Sequence, residues 1–120
     1  MTSSNKKTRI GVIGYGYIGR ELCRLIQETQ EWNLELAFVW NRDATKLNDL
    51  PAGVALAELD QLAERCPDLV VECAHPDITL NYGEVILQVA DYLPLSVNAF
   101  ADPETESKLV AQAQKQGRRI

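Results

Sequence analysis

A chain of 120 residues with 46% hydrophobic and 24% charged side chains has the apolar material for one buried core and the charge of an ordinary soluble domain. Seventeen acidic against twelve basic residues leave a net charge of −5, which argues against nucleic acid or an anionic membrane as main partner, since both need concentrated positive charge. Cys23, Cys66 and Cys73 are widely spaced with no CxxC pair, which fits neither a disulfide framework nor a zinc site and points to reduced thiols and a cytoplasmic address.

In chain order, residues 1–8 read as a flexible polar lead-in, too short for a secretory leader. RIGVIG at 9–14 is a β-branched apolar run ending in glycine, hence a buried strand. Helical spacing follows in Ile18, Leu22, Leu25, Ile26 and Thr29. LELAFVW at 34–40 is a second, almost continuously apolar strand, as expected where helices cover both faces of a sheet. Pro51 and Gly53 precede a short third strand at 54–56. Leu59, Leu62, Ala63 and Cys66 mark a short helix stopped by Pro67. LVVE at 69–72 is the fourth strand, and Pro76 suits the first turn of the next helix. That helix places Ile78, Tyr82, Val85, Ile86 and Val89 on one face, with Leu80 and Leu87 off the stripe. A fifth strand is expected at 93–97. Asp102 and Pro103 open a last helix packed through Leu109, Val110 and Ala113 and stopped by Gly117. Residues 118–120 begin a sixth strand. Strands alternating with helices imply an α/β fold, a Rossmann-type doubly wound parallel sheet. Its repeat breaks off in mid-pattern, so 1–120 reads as one NAD(P)-binding domain truncated before a second one.

The chemistry centres on Gly14-Tyr15-Gly16-Tyr17-Ile18-Gly19. GxGxxG alone is a weak signal, but here it follows a strand without a gap and opens an amphipathic helix. Gly14 permits the tight turn, Gly16 lets the backbone approach a pyrophosphate, and Gly19 lets the helix pack on the strand. The N–H groups of Tyr17 and Ile18 sit at the positive end of the helix and face the phosphates of NAD or NADP.

At the end of the second strand, an NAD-preferring domain usually carries Asp or Glu on the ribose hydroxyls. Here stand Asn41 and Arg42. Asn41 can hydrogen-bond the ribose without repelling a 2′-phosphate. Arg42 either pairs with that phosphate, stacks on adenine, or is a solvated loop residue beside Asp43, a cap for the next turn, and the pattern leans to NADP acceptance or dual specificity. Cys73, Ala74 and His75 follow the fourth strand, where ligands lie in doubly wound sheets. His75 is the sole histidine, but no partner carboxylate is evident, and capping the Pro76 helix is its plainer role. Ala99 and Phe100 lie in the matching loop after the fifth strand.

Taken together, RIGVIGYGYIGR at 9–20, LELAFVWNRD at 34–43, PDLVVECAHPDI at 67–78 and SVNAFAD at 96–102 resemble the L-aspartate dehydrogenase family over nearly the whole chain. The resemblance implies a Rossmann domain followed by a domain for substrate recognition and homodimerisation. It implies hydride transfer from C2 of L-aspartate to NAD or NADP, giving iminoaspartate that hydrolyses to oxaloacetate and ammonia. It places Gly14, Gly16 and Gly19 in the pyrophosphate loop, and Asn41 and Arg42 by the adenosine ribose. The loops 73–75 and 98–100 flank the nicotinamide half. The family's catalytic histidine lies in the second domain, so no residue here inherits that role, and the 120 residues alone are expected to be inactive. The competing readings are a non-catalytic dinucleotide-binding module from a truncated isoform, and the cofactor domain of a homoserine-dehydrogenase-like oxidoreductase.

Overall fold

The structure, a computed structural model, describes residues 6–120. The flexible lead-in expected over 1–8 therefore lies mostly outside the described residues. Its last residue does not conform: Thr8 opens strand β1, Thr8–Ile13, and its N–H donates to the Asn33 carbonyl at 3.0 Å.

Helix α1 is Tyr17–Glu28, β2 is Leu34–Trp40, and β3 is Leu69–Glu72. Helix α2, Pro76–Val89, is followed by β4, Asp91–Pro94, and α3, Pro103–Gln116. All strand pairs are parallel, in the order β2-β1-β3-β4. The chain winds outward from β1 to β2, then crosses back to β3 on the other side. The order reverses between β1 and β3, which opens a crevice above their carboxyl ends.

Two cores form, one on each face of the sheet. Ile10, Val12, Val39 and Val71 pack under Cys23 and Ile26 of α1. Ile13, Phe38, Val70 and Tyr92 pack with Ile78, Ile86 and Leu87 of α2 and with Leu109 and Ala113 of α3. Burying each large apolar side chain contributes about 1.5–3 kcal/mol, so both helical layers are held by their inward faces. The β1–β2 register slips between Ile10 and Gly11, skipping Ala37. A Cβ on Gly11 would overlap the Phe38 ring, so this glycine makes room for the aromatic laid across β1.

The expected strands at 9–14, 34–40 and 69–72 are present, the first shifted by one residue. Other expectations need correction. Residues 54–56 make only an isolated bridge, Val39 with Ala55, because the Val54 N–H turns back to the Pro51 carbonyl at 3.2 Å on one side and β2 ends at Trp40 on the other. The short helix at 59–65 is a 3-10 helix that buries only Leu59 and Leu62, three residues apart, leaving Ala63 and Cys66 exposed. The α1 stripe is rotated by one position to Gly19, Cys23 and Ile26. Ile18 stands outside it at 57% exposure. On α2, Leu87 is fully buried while Val85 and Leu80 are exposed.

The fifth strand begins two residues early. Ala90 is already extended, Tyr92 drops into the core, and Val97 opens a 3-10 turn, Val97–Ala101. The end of the chain is not a strand, although the Arg119 carbonyl accepts the Tyr92 N–H at 3.0 Å beside β4. Asp102 caps α3 through the Glu104 N–H, and Gly117 closes it at φ 68°, both as expected. No helix among the described residues is long and apolar enough to cross a membrane.

Candidate functional site

A cleft of about 350 Å³ opens above the β1–β3 switch point, lined by Gly14, Tyr15, Gly16, Trp40, Asn41, Arg42, Cys73, Ala74 and His75. Three segments far apart in sequence thus meet because their strands are neighbours. Gly14 has φ +105°, and a Cβ there would press on the Cys73 carbonyl at 2.8 Å. Its N–H donates to the Trp40 carbonyl at 2.7 Å. A Cβ on Gly19 would overlap the Gly14 carbonyl oxygen, so that residue fits the helix to the turn. Gly16 differs from both: nothing lies within 4 Å of a Cβ built there. The space its missing side chain leaves is open to the cleft.

Among the three α-helices, α1 alone presents a bare positive end. Its N-cap is Gly16, with no side-chain cap and no acidic residue in the first turn. By contrast, His75 caps α2 and Asp102 caps α3, each with acids in the first turn. The unpaired N–H groups of Tyr17 and Ile18 and the helix dipole therefore favour an anion at α1. The side chains of these two residues, 84% and 57% exposed, stand on the rim and outside the cleft lining. The open space at Gly16 and the bare helix end fit the pyrophosphate of a dinucleotide.

The loop is held from below. Tyr15 buries its ring in the α1 core, with the Arg20 guanidinium 4.8 Å from the ring centroid, and burial raises its hydroxyl pKa. The Tyr15 N–H donates to Asn41 Oδ1 at 2.9 Å, while Asn41 Nδ2 donates to the Asp43 carbonyl at 2.9 Å. Asn41 therefore ties the tip of β2 to the glycine turn, which leaves it less free for a ribose than expected. Asp43 caps the next turn through Thr45, as expected.

Cys73 donates its N–H to the Ile13 carbonyl, and its Sγ lies 3.6 Å from the Gly14 carbonyl oxygen. Burial, reinforced by Glu72, pushes the thiol up to about 11. At neutral pH it is a protonated packing group beneath the turn. Glu72 itself is fully buried, and nothing in the sequence pattern of β3 marked it. Its carboxylate accepts the Ala74 N–H (2.7 Å), the Ser96 N–H (3.0 Å) and the Ser96 hydroxyl (2.7 Å). One acid thus joins the loops after β3 and β4, and satisfying it with three donors is what makes its burial tolerable.

His75 is the N-cap of α2: its Nδ1 accepts the Asp77 N–H at 3.1 Å. A carboxylate does stand beside it, with Asp77 Oδ1 2.9 Å from the same nitrogen, but because that nitrogen accepts the Asp77 N–H it donates nothing to Oδ1, which has no hydrogen-bond partner among the described residues. Its sequence signal was the Asp two residues on, in the first turn of a Pro-initiated helix. Arg42 reaches Asp77 Oδ2 at 3.4 Å. Burial opposes the charge on Asp77, but His75 and Arg42 together hold its carboxyl below the usual range. Ala99 and Phe100 are not brought to the cleft. Ala99 is buried and Phe100 packs against the α2–α3 core, because the 3-10 turn points these two side chains inward while Val97 stays exposed. Among the described residues no cluster of His, Cys, Asp and Glu could hold a metal ion.

A parallel sheet wound outward from β1, with a glycine turn at the switch point and a bare helix end above it, defines a dinucleotide-binding Rossmann domain. Residues 14–120 match the family described as the NAD-binding domain of homoserine dehydrogenase, and the chain belongs to that family. Among curated proteins it is 43% identical, over 96% of its length, to an aspartate dehydrogenase domain-containing protein of Xenopus tropicalis. It is 30% identical, over 92%, to an L-aspartate dehydrogenase of Archaeoglobus fulgidus. It spans 41% and 44% of those two proteins, under half of each. Among solved structures, an aspartate dehydrogenase from Thermotoga maritima superposes with a TM-score of 0.71 at 26% identity, covering 94% of this chain and 44% of that one.

Proposed function

We propose that this chain is the cofactor half of an NAD(P)-dependent dehydrogenase acting on L-aspartate. The observation that carries the reading is the open cradle at Gly16 beneath the bare N-terminus of α1. The Tyr17 and Ile18 N–H groups receive the pyrophosphate there, while Gly14 and Gly19 hold the turn in shape. Arg42 stands at the adenosine-ribose end, and Cys73, Ala74 and His75 border the crevice on the β3 side. When bound, the nicotinamide supplies the hydride acceptor. The residues of this domain bind and orient it, and His75, already engaged as a helix cap, takes no proton in this reading. L-Aspartate as substrate is supported by the names of the two curated relatives, and self-association would reside outside these residues, as would the substrate clamp.

Isothermal titration of the 120-residue chain with NAD and with NADP tests the assignment. Saturable one-to-one binding of at least one of them is the expected result. Absence of heat with both, at protein concentrations that would detect a millimolar complex, overturns it.

A further inference from the structure

Arg42 has two acids close by, Asp43 beside it in the chain and Asp77 at the start of α2. Asp43, the acidic residue nearest the end of β2, is turned away. Its carboxylate accepts both the N–H (3.1 Å) and the hydroxyl (2.6 Å) of Thr45. Asp77, the second residue of α2, is not itself in the cleft lining but touches two residues that are. Its Oδ2 reaches Arg42 Nη2 at 3.4 Å from the other side of the switch point, and its backbone N–H donates to His75 Nδ1 at 3.1 Å. Arg42 and His75 both line the cleft. Arg42 is the one side chain in that lining with a fixed positive charge, and the ion pair to Asp77 is its only one among the described residues.

We propose that Asp77 is the specificity-determining residue of this cofactor site, holding Arg42 away from a 2′-phosphate and thereby favouring NAD over NADP. The inference rests on the dinucleotide reading above. A 2′-phosphate placed at the ribose end must share the Arg42 guanidinium with Asp77, which already holds its Nη2. NAD carries a hydroxyl at that position and leaves the pair intact. Both partners are well exposed, at 71% and 40% of their side chains, so the pair is strong enough to bias the choice without forbidding either cofactor.

Four proteins test this by isothermal titration with NAD and NADP: the 120-residue chain, Asp77→Asn, Arg42→Ala and the double variant. Asn at 77 keeps the backbone N–H that His75 caps, and thermal melts check that the fold is unchanged. Asp77→Asn should tighten NADP about fivefold while moving NAD less than twofold. The gain should vanish on the Arg42→Ala background, because release of Arg42 is its source. Equal tightening of both cofactors, or no change for NADP, overturns the proposal. So does a NADP gain that persists without Arg42, which would make Asp77 a simple repulsive charge. Failure of the unsubstituted chain to bind either cofactor overturns the dinucleotide reading itself and this inference with it.

Discussion

Gly16 and Gly19 belong to one motif yet are glycines for opposite reasons. A side chain at 19 meets the Gly14 carbonyl oxygen, whereas one at 16 meets nothing within 4 Å. Gly19→Ala should therefore destabilise the fold by about 2 kcal/mol through overpacking, read as a lowered urea midpoint. Gly16→Val should leave that midpoint nearly unchanged and abolish NAD(P) binding in titration calorimetry, since its side chain occupies the pyrophosphate's space. Equal loss of stability in both would refute this division of labour. Glu72 is the other residue whose role is positional. Glu72→Ala strands the Ala74 and Ser96 N–H groups and the Ser96 hydroxyl, at about 1–3 kcal/mol for each donor left dry. A loss of at least about 3 kcal/mol in urea unfolding is expected, with Glu72→Gln intermediate because its amide N–H₂ must face one of those donors.

Among the elements, the connections carry the deviations. The 3-10 helix Leu59–Arg65 ends at Cys66, which sits in the left-handed region at φ 52°. That conformation costs a residue with a Cβ about 1–2 kcal/mol, and glycine loses part of the gain in unfolded-state entropy. Cys66→Gly should thus stabilise by roughly 0.5–1 kcal/mol, and a higher thermal midpoint would register it. β4 shows how an exposed alternation misleads. Leu93, Leu95 and Val97 alternate along the stretch expected as the fifth strand, but all three are exposed. Tyr92 supplies the buried contact instead, its hydroxyl 2.7 Å from Thr79 Oγ1.

For the molecule as a whole, the two cores set which thiols can react. Burial pushes Cys23 up to about 12, with Cys73 and Arg20 as smaller influences, and pushes Cys73 up to about 11. Cys66 is exposed. At neutral pH an aromatic disulfide reagent should titrate one thiol quickly, and the other two only at the rate of opening of the α1 face. Three fast thiols would contradict this packing. A second expectation concerns turnover. Fixing a dicarboxylate against the nicotinamide needs several cations or N–H donors within near-attack distance, yet among the described residues Arg42 is the only Lys or Arg in the cleft lining. Residues 1–120 should bind cofactor but give no aspartate-dependent rise in NAD(P)H absorbance. Turnover that His75→Ala removes would make His75 catalytic.

What the sequence determined by itself was whatever local chemistry enforces. The β-branched runs of β1, β2 and β3, the glycine turn that follows β1 directly, and the Pro-initiated, side-chain-capped starts of α2 and α3 are written within a few residues of each other. From them the parallel sheet, its switch point and the dinucleotide motif were legible. The tertiary structure decided what depends on neighbours distant in the chain. It reduced residues 54–56 to a bridge, because the Val54 N–H turns back to Pro51 and β2 ends at Trp40, and turned Ala99 and Phe100 into the core beneath α2 and α3. It gave Asn41 to the glycine turn, and set Asp77 against Arg42 across 35 positions. Periodicity reports which face of an element is apolar, but not which partner reaches a polar group first. That competition is settled only when the strands are side by side.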